Sequence, residues 1–578
     1  MLTTKDYNEF HILDTNIQFT DAKLANKCLP GDMVEWDIEK NQCKLVSRGN
    51  HPLIVGTLEL TNKCKYGLTN RQLPMYLFTP YDKSYPHFIV GSSEKDISRN
   101  MIGLISFGEW ALSSTFPRGN LQTILGVSGD FDAEYQALIW QACPWKYSPK
   151  EKYTKGCSHS ETYIPILNDN VVRTRVSGET FNIDPLGCRD VDDVFTFEQN
   201  SEGWNITITI SDVTAYVEPG GVVDKMAEKI SQTLYNNEGG VLRPMLPPVY
   251  SEEACSLLPG KDSYGLSISF NWNSKEQSIT DIKWFSSILK VDRSYTYEEF
   301  QQSDSPYKEP LEQIASYLAV RHSASAKAET TASAKAETWT SHEWVEQMML
   351  FYNREAGKLL KRAGQGVLRR HSQPNLERLA AFQKSGIPEL EKFAYSSAEY
   401  CLSTEKDTVH YGLETDAYAH ASSPIRRYAD LVNQRILKEL IMSFEEKRTN
   451  SDSIYTVPID YRLMNQRGKA VKRYGRDMDF LKAISSGETR FKAVIVEQKM
   501  ISPDKKKIKL YVPKWGRIVS TWFKSSERTD NLNDETDIVL SRDETREIAV
   551  TLYREVEIEC VFMSNARNWK ERVVIQIM

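Results

Sequence analysis

Four carboxylates crowd into one short stretch, Asp184-Pro185-Leu186-Gly187-Cys188-Arg189-Asp190-Val191-Asp192-Asp193, spaced D-x5-D-x-D-D. The stretch follows the β-rich run Thr180–Ile183 and is bent by proline and glycine, so it is not a solvated helix face. It concentrates about four negative charges on one turn, an unfavourable arrangement unless divalent cations hold them together. Hard oxygen ligands of this kind suit magnesium or manganese. An acidic surface loop is the alternative reading, since the chain carries 78 acidic residues in all.

A second polar cluster is Tyr418-Ala419-His420-Ala421-Ser422-Ser423-Pro424-Ile425-Arg426-Arg427-Tyr428-Ala429-Asp430-Leu431. Proline is tolerated where a helix begins, and Pro424 predicts that Arg426 and Arg427 fall in a first helical turn. Helix-dipole logic disfavours cations there. An anion at the helix end would account for both: a phosphate would receive backbone N–H groups and a planar guanidinium fork. An arginine pair salt-bridged to neighbours such as Asp430 is the other account.

The elements that must position these clusters follow from patterning. Residues 1–85 alternate short apolar runs with turn residues, as in a small antiparallel barrel, and a second all-β stretch occupies 86–150, with Asp132–Trp140 helical. Residues 151–171 are a polar linker. A large mixed α/β domain spans 172–486. Within it, Thr340-Ser341-His342-Glu343 has capping-box spacing and opens a helix to Arg362, stopped by Gly364. Tyr428–Arg448 is another amphipathic helix. ASAKAET, repeated at 324–330 and 332–338, is an insert without catalytic groups. Residues 487–578 return to a β pattern, with Tyr511, Lys514, Trp515, Arg517 and Trp522 as a basic, aromatic face or as core. The fold class expected from patterning is a multidomain α+β chain: a small N-terminal barrel and a second all-β stretch, a large mixed α/β domain and a C-terminal OB-type barrel.

Composition narrows the class. Hydrophobic content of 40% and charged content of 26% are ordinary for a globular chain, and no apolar run is long enough to span a membrane. Nine scattered cysteines without a CxxC pair predict a reducing compartment. The start lacks a signal peptide's apolar core, so a cytoplasmic location is expected, with nucleus or organelle left open. Cys157 and His159 are two lone ligands, read as structural. The net charge of −6 conceals a basic stripe: Arg467–Arg517 holds fifteen basic residues against five acidic ones.

Taken together, the two clusters resemble the signatures of the ribonuclease II/ribonuclease R exoribonucleases, known as the RNB family: DP-x4-D-x-DD at Asp184–Asp193 and Y-x-H-x2-SPIRRY-x-DL at Tyr418–Leu431. Arg243–Pro247 (RPMLP), Ser341–Asn353 and His410–Leu413 (HYGL) resemble family segments in the expected order. The resemblance is strongest over 172–486 and closest in style to the eukaryotic exosome-type members. It implies that both N-terminal regions are OB-type, cold-shock-like barrels, that the α/β domain is catalytic and that the C-terminal barrel binds RNA. It implies a magnesium-dependent, hydrolytic 3′-to-5′ exoribonuclease, with manganese an alternative metal, that degrades single-stranded RNA to nucleoside 5′-monophosphates as a monomer. The roles it implies are Asp184 and Asp193 on a first metal, Asp190 assisting through water, and Asp192 on a second metal or the terminal nucleotide. Arg426 would neutralise charge on the phosphate, Arg427 would contact substrate, and Tyr235, ahead of RPMLP, would pack on the terminal base. No endonuclease module, nor the exosome-ring attachment that it mediates, is expected. Ala421 and Gln434 depart from the residues usual at their positions and bear on packing. The competing class is an RNA-binding regulator on a dead nuclease scaffold, from which the kept carboxylates and Arg426 discriminate.

Overall fold

The computed structural model describes residues 1–64, 66–147, 165–167, 171–321, 339–445, 458–502, 505–525, 536–540, 547–563, 566, 571 and 573–578. The polar linker over most of its length, Cys157, His159, the ASAKAET duplication and residues 446–448 lie outside them. The chain divides into two compact units, Met1–Trp145 with Ala470–Met578, and Lys146–Lys469. Among the described residues no helix is long and apolar enough to cross a membrane.

In the first unit, strands Leu2–Lys5, Glu9–Ile12 and Gln18–Phe19 form a small antiparallel sheet. With the hairpin Met33–Asp37/Gln42–Ser47 it encloses a core of Leu2, Phe10, Ile12, Val34 and Cys43. Strands Ile54–Leu58, Met75–Pro80, Phe88–Gly91, Met101–Phe107 and Arg118–Val127 then close a barrel around Leu58, Phe78, Phe88, Val90 and Ile105. This corrects the expected boundary after residue 85. Met75–Pro80 pairs with Phe88–Gly91, Tyr76 opposite Val90, so the turn residues between them join a hairpin within one barrel. The helix Phe131–Ala142 follows, its first turn capped by Asp130, which accepts from the Ala133 N–H at 3.1 Å.

The C-terminal part is a seven-stranded sheet, running from Glu547–Thr551 at one edge to Val573–Ile577 at the other. The Thr521 hydroxyl donates to the Ile575 carbonyl at 3.0 Å, drawing the edge strand Val573–Ile577 onto Arg517–Ser525. The aromatic face divides. Tyr511 and Trp515 are core residues, whereas Trp522 is 54% exposed with the Lys507 ammonium 5.5 Å from its ring centre.

The second unit is built on a seven-stranded mixed sheet. Its inner strands Asp262–Asn273, Gly203–Ser211, Asp193–Gln199 and Glu179–Asp184 run antiparallel, and Arg293–Thr296 joins Glu179–Asp184 in parallel at the edge. The buried strand faces are near-continuous Phe, Ile, Thr and Val, as expected of a sheet covered on both sides. The helix Ser341–Ala363 packs on it, Phe351 edge-on to Phe270 and the Tyr352 hydroxyl donating to the Leu266 carbonyl at 3.2 Å. Glu343 accepts from the Thr340 N–H at 2.8 Å in the predicted capping box. Gly364, at φ +63°, ends the helix in the left-handed region that glycine adopts without strain. The helix Tyr428–Glu445 is buried on nearly every side. Fully buried Gln434 joins it to the sheet, accepting from the Val213 N–H at 3.1 Å and donating to the Ser211 carbonyl at 2.7 Å. Gln434 therefore serves packing, as its departure from the family pattern suggests.

Asn353, buried on the long helix, fixes the segment that leads to Arg426. Its Oδ1 accepts from the Ala421 N–H at 2.8 Å, and its Nδ2 donates to the hydroxyls of Ser422 at 3.0 Å and Tyr418 at 3.3 Å. Asn353→Leu keeps the volume and strands these groups without water. Urea denaturation is expected to show a loss on the order of 3 kcal/mol. A loss under about 0.5 kcal/mol, the size of an ordinary surface change, would contradict this anchoring.

Candidate active site

Asp184 ends one strand and Asp193 begins its antiparallel neighbour, so the connection 185–192 brings the two carboxyls side by side. Gly187, at φ +79°, allows the tight turn. The Ser256 hydroxyl pins the later part of the bend, donating to the Arg189 carbonyl at 2.6 Å and accepting from the Val191 N–H at 3.0 Å. Val191 is buried against a core that includes Leu257 and Leu289.

The arginine segment differs from expectation. The helix starts at Tyr428, so Arg426 and Arg427 occupy the turn before it. The strand-like segment 231–233 holds them there. The Tyr428 N–H donates to the Ser231 carbonyl at 2.8 Å and the Thr233 N–H to the Arg426 carbonyl at 2.9 Å, while Gln232 bridges to Arg427. Arg427 has an acidic partner close in sequence. Its guanidinium donates to fully buried Asp430 at 2.7 Å, the same oxygen that accepts from the Ser423 N–H at 2.8 Å. It is bound inward, as the salt-bridge alternative held.

Arg426 instead meets the acidic bend. Its Nε donates to Asp192 Oδ2 at 3.1 Å, and the Ile425 N–H donates to Asp192 Oδ1 at 2.9 Å. The Ser423 hydroxyl accepts from Arg426 Nη2 at 3.0 Å, holding the fork from behind. Asp192 is 4% exposed while the Arg426 side chain keeps 45% of its surface. The carboxylate is thus enclosed and part of the guanidinium stays open to a ligand. The Tyr235 hydroxyl donates to Asp190 Oδ2 at 2.6 Å.

The four carboxyls consequently do different things. Each oxygen of Asp192 accepts one hydrogen bond, Oδ2 from Arg426 and Oδ1 from the Ile425 N–H. Asp190 is tied to Tyr235. Among the described residues neither Asp184 nor Asp193 forms an ion pair, and Asp184 Oδ2 is buried without a hydrogen-bond partner. Burial raises the Asp184 carboxyl to about 6, with Asp190 adding to the rise and a Cys188 hydrogen bond and Arg426 opposing it. Burial likewise lifts Asp192 to about 7 against the pull of Arg426. Asp193 is pushed well up by burial, then by Asp184 and Asp192. Burial works against the Arg426 charge too, but Asp192 outweighs it and keeps the guanidinium protonated. Among the described residues no three His, Cys, Asp or Glu side chains are already gathered around a metal position. The pair Asp184–Asp193, with an orphaned buried oxygen and mutual repulsion, is nevertheless a hard-donor set that suits a divalent cation.

Ser423, Asn353 and Ser256 are supporting residues that sequence reading left without a role. Ser423 lies inside the quoted SPIRRY run and Asn353 at the end of SHEWVEQMMLFYN, yet nothing in residue type indicates which hydroxyl or amide faces the site. Tyr297 is a further neighbour: burial raises its phenol, and the charges of Asp193 and Asp184 raise it more.

Both clusters fall within residues 173–443, which match the RNB domain model, while 75–142 match the Dis3-like cold-shock domain 2 (CSD2). Residues 173–443 of the chain are an RNB domain. A relative is the probable exosome complex exonuclease RRP44 of Caenorhabditis elegans, 24% identical over 435 residues, covering 63% of this chain and 45% of that one. The chain therefore spans less than half the length of that relative. Among solved structures, Mycoplasma genitalium RNase R in complex with ribose methylated single-stranded RNA superposes with a TM-score of 0.69 at 14% identity, over 100% of this chain and 99% of that one. Yeast Ssd1, a pseudonuclease, does so at 0.64 and 16% identity, over 100% and 96%. These likenesses establish the shared multidomain α+β fold, with OB-type N-terminal domains and an RNB domain.

The raised carboxyls of the RNB domain carry a sign. From their ordinary value of 3.8 up to about 6 for Asp184 and about 7 for Asp192, the folded carboxyls hold protons that the unfolded chain has released. Their contribution to stability is therefore largest at low pH and falls as pH rises through that window. Magnesium is expected to raise the melting temperature at about pH 8, where these acids are ionised, and far less at about pH 5.5. Asp193→Asn should reduce that response. Equal stabilisation by magnesium at both pH values would contradict the reading.

Proposed function

We propose that the chain is a magnesium-dependent, hydrolytic 3′-to-5′ exoribonuclease that degrades single-stranded RNA to nucleoside 5′-monophosphates. The observation that carries this reading is the approach of the Arg426 guanidinium, on a side chain that keeps 45% of its surface, to the acidic bend. A phosphodiester needs positive charge where its oxygens gain negative charge, close to acids that hold a cation. Asp184 and Asp193 would hold the metal, with Asp190 beside them. Such a metal supplies Lewis-acid stabilisation of the phosphate and an acidified water. Arg426, steadied by Asp192 and Ser423, presents its open face to the phosphate, an electrostatic contribution of about 3–4 kcal/mol per well-placed donor. Tyr235 offers a ring on which a terminal base stacks whatever its sequence, a contact of about 1–3 kcal/mol. The β-rich regions at 1–150 and 487–578 add phosphate contacts, Trp522 and Lys507 among them. The direction of attack and the monophosphate product are those that the resemblance to the family implies. A cytoplasmic, monomeric protein is part of the same reading.

The likeness to a pseudonuclease favours one second reading, an RNA-binding scaffold without turnover. The kept aspartates and Arg426 weigh against it. End-labelled single-stranded RNA and DNA, incubated with magnesium or with EDTA, separate the two. Mononucleotides are expected from RNA alone. EDTA should stop their release, and Asp192→Asn should slow it at least about 100-fold while leaving RNA affinity within about threefold. RNA that stays bound and intact with wild-type protein would establish the scaffold reading. Affinity that collapses together with rate would refute the division between binding regions and catalytic bend.

A further inference from the structure

We propose that the Tyr235 hydroxyl is a positioning group that couples the seating of an RNA terminus to the orientation of Asp190. This rests on the exoribonuclease reading for the ligand. The coupling itself stands on geometry within the second unit.

The main chain around Asp190 is fixed on both sides by Ser256, at Arg189 and at Val191. The carboxylate is not fixed by those contacts. Its Oδ2 accepts the short 2.6 Å bond from Tyr235. Its Oδ1 has the Cys188 thiol at 3.7 Å, a weak donor. Without the phenol, the carboxylate would be free to rotate on a rigid backbone. Burial, reinforced by Asp190, keeps that phenol protonated, so it remains a donor throughout the working pH range.

Tyr235 also stands at the end of a stiff segment. Residues 231–233 are hydrogen-bonded to 426–428, the turn that carries Arg426. Leu234 and Tyr235 then pair with Val241–Arg243. The Asn236 side chain closes the connecting turn by accepting from the N–H groups of Glu238 at 2.9 Å and Gly240 at 2.7 Å. One short segment therefore touches the arginine turn through its backbone and the acidic bend through its phenol. The ring is only partly buried. A base stacked on it would press on a lever whose contacts include Asp190 and the Arg426 carbonyl. The ring supplies binding and the hydroxyl supplies alignment.

Tyr235→Phe separates the two, because it keeps the ring and removes the donor. Three quantities decide the matter: affinity for a single-stranded oligoribonucleotide in EDTA, kcat and KM with magnesium, and manganese affinity of the RNA-free protein by electron paramagnetic resonance. The expected result is affinity and KM within about twofold of wild type and kcat lower by about 10–100-fold. Manganese affinity should weaken by about tenfold, the range seen when a partner that orients a metal-site carboxylate is removed. Tyr235→Leu should lose RNA affinity in addition. A Phe variant with unchanged kcat and manganese affinity would overturn the proposal. So would a Phe variant that loses RNA affinity as fully as Leu, because the hydroxyl would then serve the ligand directly. If wild type hydrolyses no RNA, the exoribonuclease reading fails, and the manganese titration still decides the role of the hydroxyl.

Discussion

A carboxylate with almost no exposed surface has to be matched by positive charge or by hydrogen bonds, since burying it alone would cost several kcal/mol. Asp192 is matched by both, through the Ile425 N–H and the Arg426 guanidinium, across 234 positions of sequence. Much of the second unit can be understood from that one contact. The sheet fixes the acid because the Ser211 N–H donates to the Asp192 carbonyl, and Gln434 ties Ser211 to the helix that follows the arginine. Asn353 holds the approach to that helix through the Ala421 N–H.

The same contact sorts the aspartates. Four carboxylates on one bend would repel one another if all were ionised and unpartnered. The structure relieves this by giving Asp192 an arginine and Asp190 a tyrosine. Asp184 and Asp193 are left without such a partner, and burial first, then neighbouring carboxylate charge, makes both of them weaker acids. An acidic pair whose protons are held by burial is poised to exchange them for a cation. The open side of Arg426 lies where an anion would complete the balance.

The sequence made the pieces visible and left their division of labour hidden. D-x5-D-x-D-D and SPIRRY are legible because their residue types are costly without a partner. Which acid takes which partner depends on strand register and on backbone bonds, and these do not show in residue type. Arg427 illustrates this. It reads as the equal of Arg426, yet the bridge from Gln232 and the buried Asp430 turn it inward. The helix begins at Tyr428 as its pattern predicts, but Arg426 and Arg427 lie in the turn before it because the backbone there is hydrogen-bonded to 231–233. Tyr511 and Trp515 looked like possible RNA contacts and are core, since alternation along a strand does not say which face a neighbouring sheet covers. The barrel boundary was missed because turn residues mark hairpins as readily as domain junctions. The family pattern, by contrast, was carried by whole motifs in order, and these survive low overall identity.

The most direct test of the central contact is a double-mutant cycle on Asp192 and Arg426, followed by urea denaturation without RNA or metal. Asp192→Asn, Arg426→Gln and the double variant would be compared with wild type. If the guanidinium and the carboxylate stabilise each other as described, the double variant falls short of the summed single losses by about 1 kcal/mol or more. Losses that add within about 0.5 kcal/mol would mean the two groups do not interact, and the account of the bend would fail with them.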